Sequence, residues 1–464
     1  MAEPVVVGAD LGTSGLKAAA LDSDGAVVAE AEAPYVVQRP RPSWAQTEVA
    51  VWLQALDGAL AELADRLGGR EVAALGLSGQ MHGAVLVDDG GTALAPALLW
   101  PDTRATAQVD RWRALPAADR AALANPLVPG MTGPLLAWVA EHEPHLLDRA
   151  AAVLLPKDAV RAGLVPGAPP GVTDRSDASA TLLWDVPADR WSVAAAAAGG
   201  VPGRLLPAVR PGAEVVGTAV TPVGEVPVVV GGADTPLALL AAGTRVGVQV
   251  NLGSGVQLIR PGVAPAPVLD PVVHCYADAG DGWYGMAALQ NGGTAWSWVQ
   301  EVLGLDWAGF VGSLSAARPG AGGAVFTPFL TGERGGVAGP SARGAWTGLT
   351  ADTTRADLAR AALEGVVFAV AAARQLLGPV GEDQVVVTGG GARDPGVLQL
   401  LADVLGDPVQ HLEVRSASAA GAAELAARGV GRDVVPRRVA GPVVEPAPEP
   451  GLAAARDRWT AALG

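Results

Sequence analysis

Apolar residues arrive in short unbroken runs separated by polar, glycine-containing turns over the first ninety positions. Runs at 5–9, 16–21 and 27–33 read as strands, the last two joined through Asp22, Ser23, Asp24 and Gly25, and such spacing predicts an antiparallel meander. The period then changes. Trp52, Leu53, Leu56, Leu60, Leu63 and Leu67 recur at helical spacing and the pattern stops at Gly68-Gly69, a usual helix end. Further strands are expected at 72–77 and 84–87, followed by a turn at 88–91. The second half replays parts of this order, with strands at 246–252 and 256–259 around a glycine turn, a long amphipathic helix over 357–377 and a buried strand at 384–387. Between the halves, the apolar run 226–230 leads into Gly231-Gly232-Ala233-Asp234-Thr235-Pro236. Proline suits the first turn of a helix, so Asp234 is expected where a strand ends and a helix begins. A boundary near Gly243 divides the chain into expected domains 1–243 and 244–464, each of α/β type. The stretches 165–171 and 261–267 read as surface loops, and 442–450 as a proline-rich connector before a short terminal helix.

One turn occurs twice. Asp10-Leu11 runs into Gly12-Thr13-Ser14-Gly15, with Lys17 just beyond, and Asn251-Leu252 runs into Gly253-Ser254-Gly255. Glycine carries no Cβ, so backbone N–H groups in such a turn can approach and cradle phosphate oxygens. A single copy reads more readily as a tight hairpin. Two copies at matching places suggest a duplicated domain closing on one nucleotide, hence an ATP-dependent enzyme.

Composition agrees with two cores. The chain has 464 residues, half of them hydrophobic and 17% charged, which suits two domains rather than one. A net charge of −15 with no basic run argues against nucleic acid as a partner. The lone Cys275 excludes an internal disulfide and a cysteine-rich metal site. No charge-free apolar run reaches about 18 residues, and the N-terminus leads directly into a strand. A soluble, cytoplasmic protein without signal peptide or membrane span is therefore expected.

Four constellations could carry chemistry. Asp10, at a strand end beside a phosphate cradle, could hold Mg²⁺ directly or through its waters; capping the hairpin is the alternative. Asp234 could accept the proton of a hydroxyl attacking a phosphoryl group, or serve only as a helix N-cap. Gly389-Gly390-Gly391, with Arg393, offers bare backbone and a helix start to a nucleotide, or is a generic strand-to-helix loop. Gln80, Met81 and His82, with Trp100, Asp102 and Arg104, supply donors, acceptors and an apolar wall suited to a polyhydroxyl compound. No histidine or cysteine stands near His82 at ligand spacing, which argues against a metal there; a satisfied structural histidine is the alternative.

At this point the chain resembles the FGGY carbohydrate kinases, and most closely those that act on xylulose. The segments 10–17, 79–83, 99–104, 155–158, 173–179, 231–234, 330–334, 363–366 and 389–393 appear in the family's order, and 344–364 matches its second signature in type and spacing. The resemblance implies two actin-like, ribonuclease-H-type domains with the active site in the cleft between them. It implies Asp234 as general base, Met81 and His82 at the ketose, and Trp100 and Thr235 bordering the same site. Gly12, Thr13, Gly253 and Ser254 would hold phosphates, Asp10 a hydrated Mg²⁺, Gly390 and Gly391 the adenosine, and Gly293 would lie near the nucleotide. The implied partners are a small-molecule sugar and ATP, with a homodimer compatible. The chain departs from the family at Thr235, where Asn or Gln is common, at Leu135 and Ala137, and at Gly335-Gly336, where Thr-Pro is usual.

Overall fold

Each glycine turn closes a hairpin in the middle of its own seven-stranded sheet. The computed structural model describes residues 3–244, 247–378, 385–447 and 449–463. In the first sheet Val5–Leu11, Gly15–Leu21 and Val27–Pro34 form the expected antiparallel meander. On its other side Val5–Leu11 runs parallel to Val72–Gly79, which runs parallel to Gly224–Val229, with Val215–Thr221 at the edge. The second sheet repeats this plan. Val248–Leu252, Val256–Pro261 and Trp283–Leu289 are antiparallel, and Val385–Thr388 and Val409–Val414 continue in parallel from Val248–Leu252. His274–Ala277 and Arg438–Val444 form the two edges. Both sheets thus carry the mixed order of an actin-like fold, in which a parallel stack adjoins a meander.

Local chemistry sets the flanking helices. Val49–Leu67 buries the predicted apolar stripe and stops at Gly68, whose φ of 60° glycine adopts without strain. Arg355–Leu376 opens with a capping box in which Thr354 and Asp357 satisfy each other's backbone N–H groups. The expected strand starts at Val246 and Gln384 lie outside the described residues. The strand at Val85–Val87 pairs with Ala152–Leu154 away from the main sheet. Pro442, expected in a connector, belongs to Arg438–Val444, because an edge strand tolerates a missing N–H. The terminal helix is Pro450–Ala461.

Two features place the site. Residues 80–214 leave the first sheet and build an apolar cluster including Trp112, Leu135 and Trp138, which continues into Tyr276, Tyr284 and Met286 of the second sheet. Helix Ala417–Gly429, late in the chain, crosses back onto the first sheet. It can approach so closely because Gly8 and Gly76 are bare: a Cβ there would lie 1.8 Å from the Ala419 carbonyl oxygen and 2.0 Å from that of Ala422. Beside it packs Asp234–Ala242, the helix that starts at the candidate base. No helix among the described residues is long and apolar enough to cross a membrane.

Candidate active site

Asp10 stands one residue before the end of the first strand, and its parallel neighbour Ser78 donates a hydrogen bond of 2.7 Å to Oδ1. No described donor engages the other oxygen, which is free for an outside partner. Burial pushes the Asp10 pKa up, against the lowering effects of Ser78 and Lys17. In the adjoining turn the Gly12 amide is taken by the Gly15 carbonyl at 3.0 Å, and the Gly12 carbonyl accepts from the Tyr35 hydroxyl and, at 3.2 Å, from Gln80 Nε2. The Gly253 amide is likewise used by the Gly255 carbonyl at 3.0 Å. Gly12 and Gly253 therefore shape their turns, while the amides of Thr13, Ser14 and Ser254 have no protein partner among the described residues.

A cavity of about 650 Å³ between the halves brings together Asp10, Lys17, Thr235, Asn251, Gly390 and Arg393. Lys17 pairs with Glu32 at 3.8 Å and Arg393 with Glu413 at 3.0 Å, both near solvent. A second cavity, of about 750 Å³, is lined by Gly253, Ser254, Gly293, Gly390, Gly391 and tryptophans 296, 298 and 307. Backbone closeness explains one of its glycines: a Cβ on Gly293 would lie 2.8 Å from the Gly253 carbonyl oxygen.

A third cavity, of about 190 Å³, holds Thr13, Gln80, Met81, His82, Trp100, Asp234 and Thr235 from the first half, and Gln257, His274, Met286 and Arg334 from the second. Trp100 Nε1 donates to Thr13 Oγ1 at 3.0 Å, linking this wall to the first turn. His82 sits in the left-handed region with φ 65°, a conformation costly for histidine. Its Nδ1 lies 2.6 Å from the Ala180 carbonyl, which can only accept, so Nδ1 carries the proton and Nε2 faces its surroundings as an acceptor. Burial lowers the His82 pKa to about 4 and that of His274 to about 3, so both rings are neutral near pH 7.

Asp234 shares this cavity with Thr13 of the first glycine turn. The Thr235 amide and hydroxyl donate to its Oδ1 at 2.6 and 3.2 Å. Burial first, and the Asp10 charge second, raise its pKa to about 7 despite those bonds. A carboxylate with that pKa, one oxygen held and the other open, can take a proton at neutral pH.

Asp102 is not brought to any of these cavities. Its side chain is fully buried, paired with Arg104 at 2.8 Å and accepting from the Ala45 amide at 2.6 Å, while the Arg104 guanidinium stacks 3.6 Å from the Trp44 ring centroid. An arginine two residues away draws the carboxylate into the core, where an unpaired charge would be costly. Ser14 is exposed at the tip of its turn. The sequence reading missed Gln257, His274 and Arg334, which come from the second half. Arg334 stood within the 330–334 segment but had no local signal of a ligand-facing role.

The model of the FGGY family of carbohydrate kinases, N-terminal domain, matches residues 5–241, and that of the C-terminal domain matches residues 264–430. A xylulose kinase of Escherichia coli (strain K12) is 33% identical over 434 residues, covering 91% of this chain and 88% of its own. A xylulose kinase of Streptomyces coelicolor is 34% identical over 463 residues, covering 95% and 92%. Among solved structures, a "xyloylose kinase" from Brucella ovis superposes with a TM-score of 0.89 at 30% identity, covering 99% of this chain and 98% of that one. Two sheets of one plan, paired glycine turns and a carboxylate beside a polar pocket agree with these matches over nearly the whole length: the chain belongs to the FGGY family of carbohydrate kinases.

Proposed function

We propose that this carbohydrate kinase is an ATP:D-xylulose 5-phosphotransferase with Asp234 as general base, its functional lobes being residues 1–243 and 244–464. The observation that carries the base assignment is the Asp234 carboxylate, raised to a pKa of about 7 at the junction of the small pocket and the phosphate turns. The substrate assignment draws on the xylulose kinases among its relatives and on a pocket whose polar groups sit in an apolar wall of Met81, Trp100 and Met286. A cytoplasmic setting, where ATP is plentiful and the free Cys275 stays reduced, suits this reading.

In the proposed reaction the C5 hydroxyl gives its proton to Asp234 as its oxygen bonds to the γ-phosphorus, and the bond to the bridging oxygen of ADP breaks. The amides of Thr13, Ser14 and Ser254 are placed to donate to phosphate oxygens, and the cavity lined by Gly390, Gly391 and tryptophans 296 and 298 suits the adenosine. The donor set fits Mg²⁺ bound in its usual way beside nucleotide phosphates, through one carboxylate and waters: Asp10 has one free oxygen, and among the described residues no larger cluster of metal-binding side chains exists. Mg²⁺ would supply neutralisation of phosphate charge, with Asp10 as the residue that holds it.

The test is turnover of D-xylulose, D-ribulose, D-gluconate and glycerol with ATP and Mg²⁺. D-xylulose should lead the others in kcat/KM by at least about tenfold; equal turnover would sink the substrate reading. Asp234→Asn should lower kcat by about 10²–10⁴-fold with little change in sugar KM, and retention of more than a few per cent of activity would refute the base.

A further inference from the structure

Five charged side chains are buried together next to the segment that delivers Asp234. Lys157 Nζ pairs with Asp158, with Asp174 at 3.0 Å and with Asp177 at 3.1 Å, and Arg161 pairs with Asp158 as well. A buried ion cluster is often no more stabilising than apolar packing of the same volume, so the contacts it makes with its surroundings carry more meaning than its own pairs. Two of them lead towards Asp234. Arg161 Nη1 donates to the Val230 carbonyl at 2.8 Å, while Asp174 accepts from the hydroxyl of Ser176, whose oxygen accepts from the Ala233 amide at 3.0 Å. Ala233 immediately precedes Asp234. It lies in the two-residue strand Gly232–Ala233, which pairs with Ser78 and Gly79, and a Cβ on Gly79 would lie 2.8 Å from Lys157 Cβ. The cluster therefore packs against both members of this pairing.

The direction of these bonds is set by chemistry. In its ion pair with Lys157 the Asp174 carboxylate offers only acceptors, so the one proton of the Ser176 hydroxyl points at it and a lone pair is left for the Ala233 amide. On the far side of Asp234, its own carbonyl accepts from Ser418 Oγ at 3.1 Å. The backbone is thus gripped on both sides of the carboxylate. Ser176 is fully buried and lines none of the three cavities, so it has no route to sugar or nucleotide except through Ala233. Resting on the reading of Asp234 as general base, we infer that Ser176 is a positioning residue for phosphoryl transfer: through the Ala233 amide it fixes the backbone that carries Asp234, and hence the placement of the carboxylate against the attacking hydroxyl. Misplacement of a reacting group by about 1 Å costs on the order of 10²-fold in rate.

The experiment measures the single-turnover rate of phosphoryl transfer, at saturating ATP, Mg²⁺ and whichever sugar is turned over fastest, in the parent, Ser176→Ala, Asp234→Asn and the double variant. Ser176→Ala should be about 10–100-fold slower, with the KM values for sugar and ATP within about twofold of the parent. In the Asp234→Asn background the same substitution should change the residual rate by less than about twofold, because groups that act as a unit are not lost twice. General damage to the site would lower both rates alike. Ser192→Ala removes another buried serine cap, one that accepts from the Ala195 amide at 3.2 Å, and as the folding control it should stay within about twofold of the parent rate. Ser176→Cys, whose thiol is a weak acceptor, should also be slower, by about tenfold, and carries the test if the alanine variant does not fold. A Ser176→Ala rate within about twofold of the parent, or an equal loss in the Asp234→Asn background, overturns the inference and leaves the base standing. An Asp234→Asn variant that keeps the parental rate overturns both.

Discussion

Asp234 is a strong base for a carboxylate because its surroundings resist its charge. Withdrawal from water and the nearby Asp10 carboxylate both favour the protonated form, and the two Thr235 hydrogen bonds only partly offset them. In the proposed role of general base it must be ionised. Sugar kcat/KM should therefore rise about tenfold per pH unit on the acid side and level off above a pH of about 7. Stability should run the other way. A folded-state pKa raised above the unfolded value gives stability that is full below pH 4 and lost as pH rises through about 7. Asp234→Asn, which removes the charge, should thus unfold at a higher temperature than the parent at pH 8, with the difference vanishing near pH 4. A pH–rate limb centred below about 5.5, or equal melting temperatures at pH 8, would refute this account. Asp234 and Asp10 were legible as residues because each ends an apolar run at a glycine turn. Asp102 was misplaced because a local pattern of polar residues does not show that Arg104 turns its carboxylate inward. His274 and Arg334 reach the pocket from about 190 and 250 positions beyond Gln80 and His82, and no local spacing encodes such a meeting.

At the scale of elements, the meander, the long helices and both glycine turns follow from period and punctuation, which are local properties. The return of helix Ala417–Gly429 to the first sheet does not. Its alanine-rich sequence fits many partners, and its true partner is fixed by missing side chains on strands roughly 350 and 410 residues earlier in the chain. That fit is testable. A methyl group on Gly76 would lie 2.0 Å from the Ala422 carbonyl oxygen, far inside contact distance, so the helix would have to move as a body. Ser418, on the same helix, donates to the Asp234 carbonyl at 3.1 Å. Gly76→Ala should therefore destabilise the protein by about 3 kcal/mol or more, read as a shifted urea midpoint, and should lower kcat as well. Gly58→Ala serves as control, because a Cβ at Gly58, within helix Val49–Leu67, meets nothing within 4 Å; it should be neutral or gain up to about 1 kcal/mol. Equal midpoints for the two variants would show that the helix is not seated by this contact.

At the scale of the molecule, the pocket around Asp234 depends on a strand that belongs to one half and is fastened by the other. His274–Ala277 is an edge of the second sheet, and its outward backbone groups are met by side chains of the first half. Asn125 Nδ2 donates to the Cys275 carbonyl and Asn125 Oδ1 accepts from the Cys275 amide, both at 3.0 Å, so that one carboxamide imitates a neighbouring strand. Ser179 Oγ accepts from the Ala277 amide at 2.9 Å, and Arg175 stacks 4.6 Å from the Trp283 ring centroid while donating to the Gly280 and Gly282 carbonyls at 3.1 Å each. These ties hold the strand that carries His274 and Tyr276, and Tyr276 lies with its ring centroid 5.9 Å from that of His82. Asn125→Ala would leave two half-buried backbone groups of Cys275 unpaired, at about 1–3 kcal/mol each. Amide hydrogen exchange over 274–277 should accelerate by at least about tenfold, and the sugar KM should rise by a similar factor while the ATP KM stays within about twofold, because neither Asn125 nor residues 274–277 line the cavity proposed for the adenosine. Unchanged exchange at Cys275 and Ala277 would show that the strand stands without the clamp; a parallel rise in both KM values would show that the two halves open as one hinge and not around a fixed sugar pocket.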